Sequence, residues 1–99
     1  MALTPEKKVK NAVVKQLKLL GESVYYFFPA TGGYGRNGVP DIVGCFKGKF
    51  WAIECKAGKG TTTALQDREL NAIRNAQGEA WVVNESNMDA VGIMFKKFI

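Results

Sequence analysis

Two short apolar runs with charges in their interiors constrain the fold more than any other stretch of this chain. Val39-Pro40-Asp41-Ile42-Val43-Gly44-Cys45-Phe46 and Phe50-Trp51-Ala52-Ile53-Glu54-Cys55-Lys56 are rich in β-branched and aromatic residues, and the basic Lys47-Gly48-Lys49 lies between them. The pattern predicts a β-hairpin. Side chains alternate faces along a strand, and directly opposed residues share a face. With Lys47-Gly48 as a two-residue turn, Phe46 pairs with Lys49, Asp41 falls opposite Glu54, and Lys56 joins their face. A slip of one residue would send Asp41 to the other side. The site and the turn length therefore stand together.

The rest of the composition narrows the chemistry. The chain has 99 residues, 46% of them hydrophobic and 11% aromatic, which suits one compact domain over residues 1–99 with a modest core that dimerisation would help to stabilise. There is no histidine. Imidazole metal ligands, imidazole general bases and Ser-His or Cys-His nucleophile pairs are thereby excluded. Cys45 and Cys55 lack metal-ligand spacing and are expected to be reduced, buried thiols of an intracellular protein. Neither a cleavable signal pattern nor an apolar run of about 20 residues is present, so the expectation is a soluble, cytoplasmic protein with no membrane partner. The net charge of +5 is uneven: residues 1–60 carry ten Lys/Arg against four Asp/Glu, and residues 61–99 four against five. A basic field around a carboxylate cluster suits a polyanionic substrate, although solubility alone also accounts for such charge.

Along the chain, Thr4-Pro5-Glu6 opens a helix as cap, first-turn proline and dipole-favourable acid, and the helix should run to about Leu20 before Gly21. Val9, Ala12, Val13, Leu17 and Leu20 form its apolar stripe, opposite Lys7, Lys8, Asn11, Lys15 and Lys18. Glu6 projects on the side of the stripe, one turn before it begins. It reads either as a dipole-favourable acid or as a third acidic group beside the hairpin carboxylates. Ser23–Phe28 is a continuous apolar strand, expected to be buried on both faces or paired with another chain, core being the favoured assignment. Residues 30–38 form a loop with four glycines, one aromatic and one arginine, and Tyr34 and Arg36 can stack on a base and bind phosphate. The loop has neither the Gly-Lys-Ser/Thr ending nor the helix of a phosphate-cradling loop.

Residues 57–63 make a basic turn containing Lys59. A second helix is expected over about 64–77, with Leu65, Glu69, Ala72, Ile73 and Ala76 on one side and Gly78 as its stop, and Gln66 falls in its first turn. Glu79–Asn84 reads as a fourth strand, and Ser86 as the cap of a last helix with Val91, Met94, Phe95 and Phe98 at helical spacing. The order α-β-β-β-α-β-α predicts an α/β fold, a mixed sheet flanked by helices. In that frame Asp41, Glu54 and Glu6 converge with Lys56 at one edge. This is an oxygen-rich site suited to Mg²⁺ or Mn²⁺ and poor for zinc. A cation there would activate phosphodiester hydrolysis, with Lys56 orienting water or stabilising charge.

Val39-Pro40-Asp41, the thirteen-residue step to Glu54-Cys55-Lys56 and the early Glu6 resemble the PD-(D/E)XK nuclease superfamily. The lead-in from Thr31 to Asp41 and the downstream Gln66 resemble, more narrowly, its VRR-NUC (virus-type replication-repair nuclease) domain, whose stand-alone phage and bacterial members are similar to Holliday-junction resolvases. The resemblance spans nearly the whole chain. It implies a restriction-endonuclease-like fold in which Asp41, Glu54 and the main-chain carbonyl of Cys55 bind metal. It further implies that Lys56 is the catalytic lysine, Glu6 the first-helix acid and Gln66 a supporting polar residue. A homodimer acting on branched or flapped DNA is implied as well, in a host-cell cytoplasm if the source is viral. Lys7, Lys59, Tyr34 and Arg36 are the expected DNA contacts. The competing readings are a non-catalytic nucleic-acid-binding or regulatory module that keeps the fold, and an interaction domain whose hairpin charges form a structural ion pair.

Overall fold

A computed structural model describes residues 3–30 and 35–99, the side chain of Phe98 apart. Its elements are α1 (Pro5–Leu19), β1 (Val24–Phe27), β2 (Ile42–Phe46), β3 (Lys49–Cys55), α2 (Ala64–Asn75), β4 (Glu79–Val83) and α3 (Val91–Phe98), with single 3₁₀ turns at Gly21–Ser23 and Met88–Ala90. The four strands form one sheet in the order β1-β2-β3-β4, antiparallel except for the parallel β3–β4 pair. Parallel neighbours need a crossover, and α2 supplies it. The expected α/β order and mixed sheet are as read from the sequence.

The hairpin has the required parity. Phe46 pairs with Lys49 and Ile42 with Ile53, so that Asp41, one residue before β2, falls opposite Glu54. Lys47 and Gly48 have φ of 52° and 81°, the double left-handed turn whose twist matches that of the strands it joins.

Alternation divides the sheet into two faces. Trp51, Ile53 and Cys55 of β3 join Val24, Ile42, Phe46 and Val83 under Val9, Val13 and Leu17 of α1 and Val91 and Phe95 of α3. Phe95 is the hub, with the rings of Trp51, Phe46 and Trp81 edge-on to it at centroid distances of 4.9, 5.3 and 5.2 Å. The opposite face carries Ala52, Glu54 and Ala80 and is covered by α2 over β3 and β4. At the start of α1, Thr4 accepts a hydrogen bond from the Lys7 amide and Pro5 occupies the first turn, as expected. Among the described residues no helix is long and apolar enough to cross a membrane.

Several sequence expectations need correction. The β1 strand is not buried on both faces: it is the sheet's edge, and α2 does not reach it, so Tyr25 is 68% exposed and Phe27 49%. For the same reason Cys45, paired with Tyr25 on one side and Phe50 on the other, is exposed, whereas Cys55 is buried. The α2 helix turns Leu70 and Glu69 inward and leaves Leu65 exposed. It ends two residues early. Gln77, at φ 71°, takes the left-handed position expected of Gly78, with the Gln77 and Gly78 amides donating to Arg74 and Ile73 carbonyls, a Schellman closure. Gly78 is needed for space instead, since a Cβ there would lie 2.9 Å from Ile73 Cγ2. Ser86 does not cap α3; its hydroxyl and amide both donate to Asn84 Oδ1.

Candidate active site

The β2–β3 hairpin and the first turn of α2 bring four of the expected residues together. Asp41 Oδ2 accepts the Cys55 amide at 2.7 Å, which ties the start of β2 to the end of β3. Glu54, 3% exposed, lies on the α2 side of the sheet. Its Oε2 accepts from Gln66 Nε2 at 3.1 Å and stands 3.5 Å from Lys56 Nζ. The ammonium is itself largely buried, its side chain 13% exposed.

Gln66 serves two elements at once. Its Oε1 accepts the Thr63 amide at 2.9 Å while its own amide donates to Thr63 Oγ1. This reciprocal capping box satisfies orphan donors at the start of α2. The same side chain thus fixes the helix end and aims its Nε2 at Glu54.

Electrostatics mark the pair as unbalanced. Burial, and then the neighbouring Asp41, push Glu54 up from 4.5 to about 7, with Lys56 opposing both. A half-buried carboxylate facing a buried one disfavours double ionisation of the two unless a cation joins them. The Cys55 thiol is pushed up to about 12, by burial first and then by Asp41 and Glu54. It stays protonated inside the core, which removes it as a nucleophile.

Glu6 is exposed on α1 and lines, with Thr4, Lys7, Lys10, Asp41 and Cys55, a cleft of about 140 Å³ at the end of the sheet. It borders the pair without completing a cluster: among the described residues no three His, Cys, Asp or Glu side chains gather as metal ligands. Lys7 stands on the rim of that cleft, and Lys59 is exposed in the turn after Lys56. That turn is held by Glu85, both of whose carboxylate oxygens accept the Gly58 amide, at 3.0 and 3.1 Å. Tyr34 lies outside the described residues.

Arg36 has a partner that sequence reading did not assign to it. Its Nη2 donates to Oε2 of Glu69, a buried residue of α2, at 2.8 Å. The signal was present: an acid on the apolar stripe of a helix, three residues after Gln66, requires a countercharge from another element.

A family model for the archaeal Holliday junction resolvase (Hjc) matches residues 7–97, a span that includes Asp41, Glu54, Lys56 and Gln66. The chain belongs to this Holliday junction resolvase family. Among solved structures, a VRR_NUC domain superposes on this chain with a TM-score of 0.71 at 20% identity, covering 98% of this chain and 100% of that one. At that identity the likeness is one of fold. Among curated proteins no sequence matches this chain. The nuclease resemblance read from the sequence therefore holds at the level of family through the resolvase model, and the narrower VRR-NUC likeness holds at the level of fold.

Proposed function

We propose that this chain is an Mg²⁺- or Mn²⁺-dependent endodeoxyribonuclease that hydrolyses phosphodiester bonds in branched DNA, of Holliday-junction or flap type, during replication, recombination or repair. The observation that carries the reading is the meeting of Asp41, Glu54 and Lys56 at one end of the hairpin, where the buried Glu54 is pushed up to about 7 by burial and by Asp41 and only partly balanced by Lys56.

The donor set fits a hard cation. Each carboxylate commits one oxygen to protein donors, Asp41 Oδ2 to the Cys55 amide and Glu54 Oε2 to Gln66 and Lys56. The second oxygen of each, with the main-chain carbonyl of Cys55, would hold the ion. Two carboxylates fit magnesium or manganese, since magnesium keeps several waters and takes one or two carboxylates plus substrate phosphate. A divalent cation held there would supply Lewis-acid chemistry to a phosphoryl oxygen and lower the pKa of water. Lys56 orients the attacking water and stabilises the negative charge that develops on the phosphorus oxygens. Gln66 keeps Glu54 from turning away, and Glu6, on the rim of the cleft, would take up or orient a proton of water entering it. Lys7, Lys59, Arg36 and Tyr34 hold the DNA backbone and bases around the site.

A homodimer belongs to the same reading, with the unpaired edge of β1 and the exposed Tyr25 and Phe27 as its surface, in a cytoplasmic setting; size-exclusion measurements check the dimer. The central experiment incubates the protein with four-way junction, flap and linear duplex DNA, in Mg²⁺, in Mn²⁺ and in EDTA. Cutting of branched substrates only with a divalent cation is expected. Steep salt-dependent binding with no cutting in either ion and no cation uptake would establish the non-catalytic module instead.

A further inference from the structure

Among the described residues Glu69 is, beside Glu54, the second buried carboxylate, and it stands apart from the Asp41/Glu54 pair. Burying a carboxylate is costly unless charge and hydrogen bonds compensate. Its Oε2 receives Arg36 Nη2 at 2.8 Å, with Arg68 Nε 3.9 Å away. The Arg36 side chain is nevertheless 72% exposed. One nitrogen of the fork is anchored, and among the described residues no other acceptor takes the remaining guanidinium donors. The five N–H donors of a guanidinium lie in one rigid plane, so anchoring one at the buried Glu69 leaves four directed away from it.

The segment bearing Arg36 is tied to α2 at a second point. Gly38 has φ +79°, and a Cβ on it would fall 2.6 Å from the backbone of Leu65 and 2.9 Å from the Gln66 amide nitrogen. Only glycine lets the chain lie this close to the helix turn whose Gln66 reaches Glu54. Gln66 and Glu69 are three residues apart and share one face of α2. The anchor Glu69 therefore sits roughly one helical turn, about 5 Å, along α2 from the residue that orients the candidate metal ligand.

We propose that Glu69 is a positioning residue for DNA binding, holding the Arg36 guanidinium as a preformed clamp for a phosphate flanking the one hydrolysed. The clamp rests on the nuclease reading above. A free arginine loses side-chain freedom when it grips a phosphate, and Glu69 removes that freedom beforehand. Its charge alone acts in the opposite sense, since a carboxylate repels phosphate, so the two roles predict opposite signs on removal.

The test measures binding of a labelled four-way junction in EDTA across a salt series, and kcat and KM for its cleavage in Mg²⁺, for the wild type, Glu69→Gln, Arg36→Gln, Arg36→Lys and the Glu69→Gln/Arg36→Gln double variant. Arg36→Gln should weaken binding and lower the salt slope by about 1. Glu69→Gln and Arg36→Lys keep a cation but lose the held fork. They should retain the slope, bind about three- to tenfold more weakly, and raise KM with kcat within about twofold. Glu69→Gln should add nothing in the Arg36→Gln background. Equal or tighter binding by Glu69→Gln, or its full effect without Arg36, overturns the clamp. Should Glu69→Gln unfold, Arg36→Lys, altered only at an exposed side chain, carries the comparison, and wild-type binding by it overturns the clamp. A wild type that neither binds nor cuts junctions overturns the nuclease reading itself, whereas a cutting wild type with an indifferent Glu69 removes the clamp alone.

Discussion

Neutralising one member of the carboxylate pair should stabilise the protein when no divalent cation is present. Folding raises Glu54 from 4.5 to about 7, through burial first and Asp41 second. The folded state therefore binds its proton more tightly than the unfolded one between these values. Stability contributed by the protonated form is fully present below about pH 4.5, falls as pH rises, and is gone above about pH 7. At about 1.36 kcal/mol per pKa unit, the ionised carboxylate costs about 3 kcal/mol at pH 8. Glu54→Gln keeps the shape and an acceptor for Gln66 while removing that cost, and the loss of the Lys56 contact takes part of the gain back. Urea or thermal unfolding in EDTA at pH 8 should show the variant more stable by about 1–3 kcal/mol, a rise on the order of 10 °C for a chain of this size. At pH 5 the two proteins should nearly coincide. In millimolar Mg²⁺ the order should reverse, because only the wild type gains from ion binding. A Glu54→Gln protein less stable than wild type at pH 8 in EDTA would refute the reasoning and make the Glu54/Lys56 contact a structural ion pair.

Three further substitutions probe the frame. Gln66→Ala removes both the capping box and the tether on Glu54, so it should cost about 1 kcal/mol in unfolding and reduce kcat for junction cleavage far more than KM. Gly44→Ala should cost about 2–3 kcal/mol, read by urea unfolding, since its Cβ would lie 2.0 Å from the Tyr25 carbonyl oxygen across the β1–β2 pair. Trp51→Phe should cost less than a usual large-to-small core change, within about 1 kcal/mol of wild type. Among the described residues the Trp51 indole nitrogen is the one buried side-chain donor without a partner, and removing it offsets part of the cavity it leaves.

How far the sequence reaches depends on whether a local rule or a neighbour decides each feature. The hairpin register follows from parity and a two-residue turn, both local, so the meeting of Asp41, Glu54 and Lys56 was legible before any coordinates. Gln66 was visible as a first-turn polar residue, but its reach to Glu54 required knowing that α2 crosses over the β3–β4 side. The misreadings have the same origin in the opposite direction. A run such as Val24-Tyr25-Tyr26-Phe27 does not record whether it lies at the centre or the edge of a sheet, and here the limited span of α2 leaves Tyr25, Phe27 and Cys45 uncovered. Glu69 sat in view on an apolar stripe, yet its partner Arg36 comes from a loop thirty-three residues earlier, a contact that no helical periodicity encodes. Ser86 lost its capping role because Asn84 captured both its hydroxyl and its amide.

The central claim is that Asp41 and Lys56 act together at a cation-dependent hydrolytic site. Single-turnover cleavage of a four-way junction in Mg²⁺ by the wild type, Asp41→Ala and Lys56→Ala, each verified as folded, tests it most directly. Cutting by the wild type and a loss of at least about a hundredfold in both variants are expected; cutting at wild-type rates by both would contradict a shared hydrolytic role for Asp41 and Lys56.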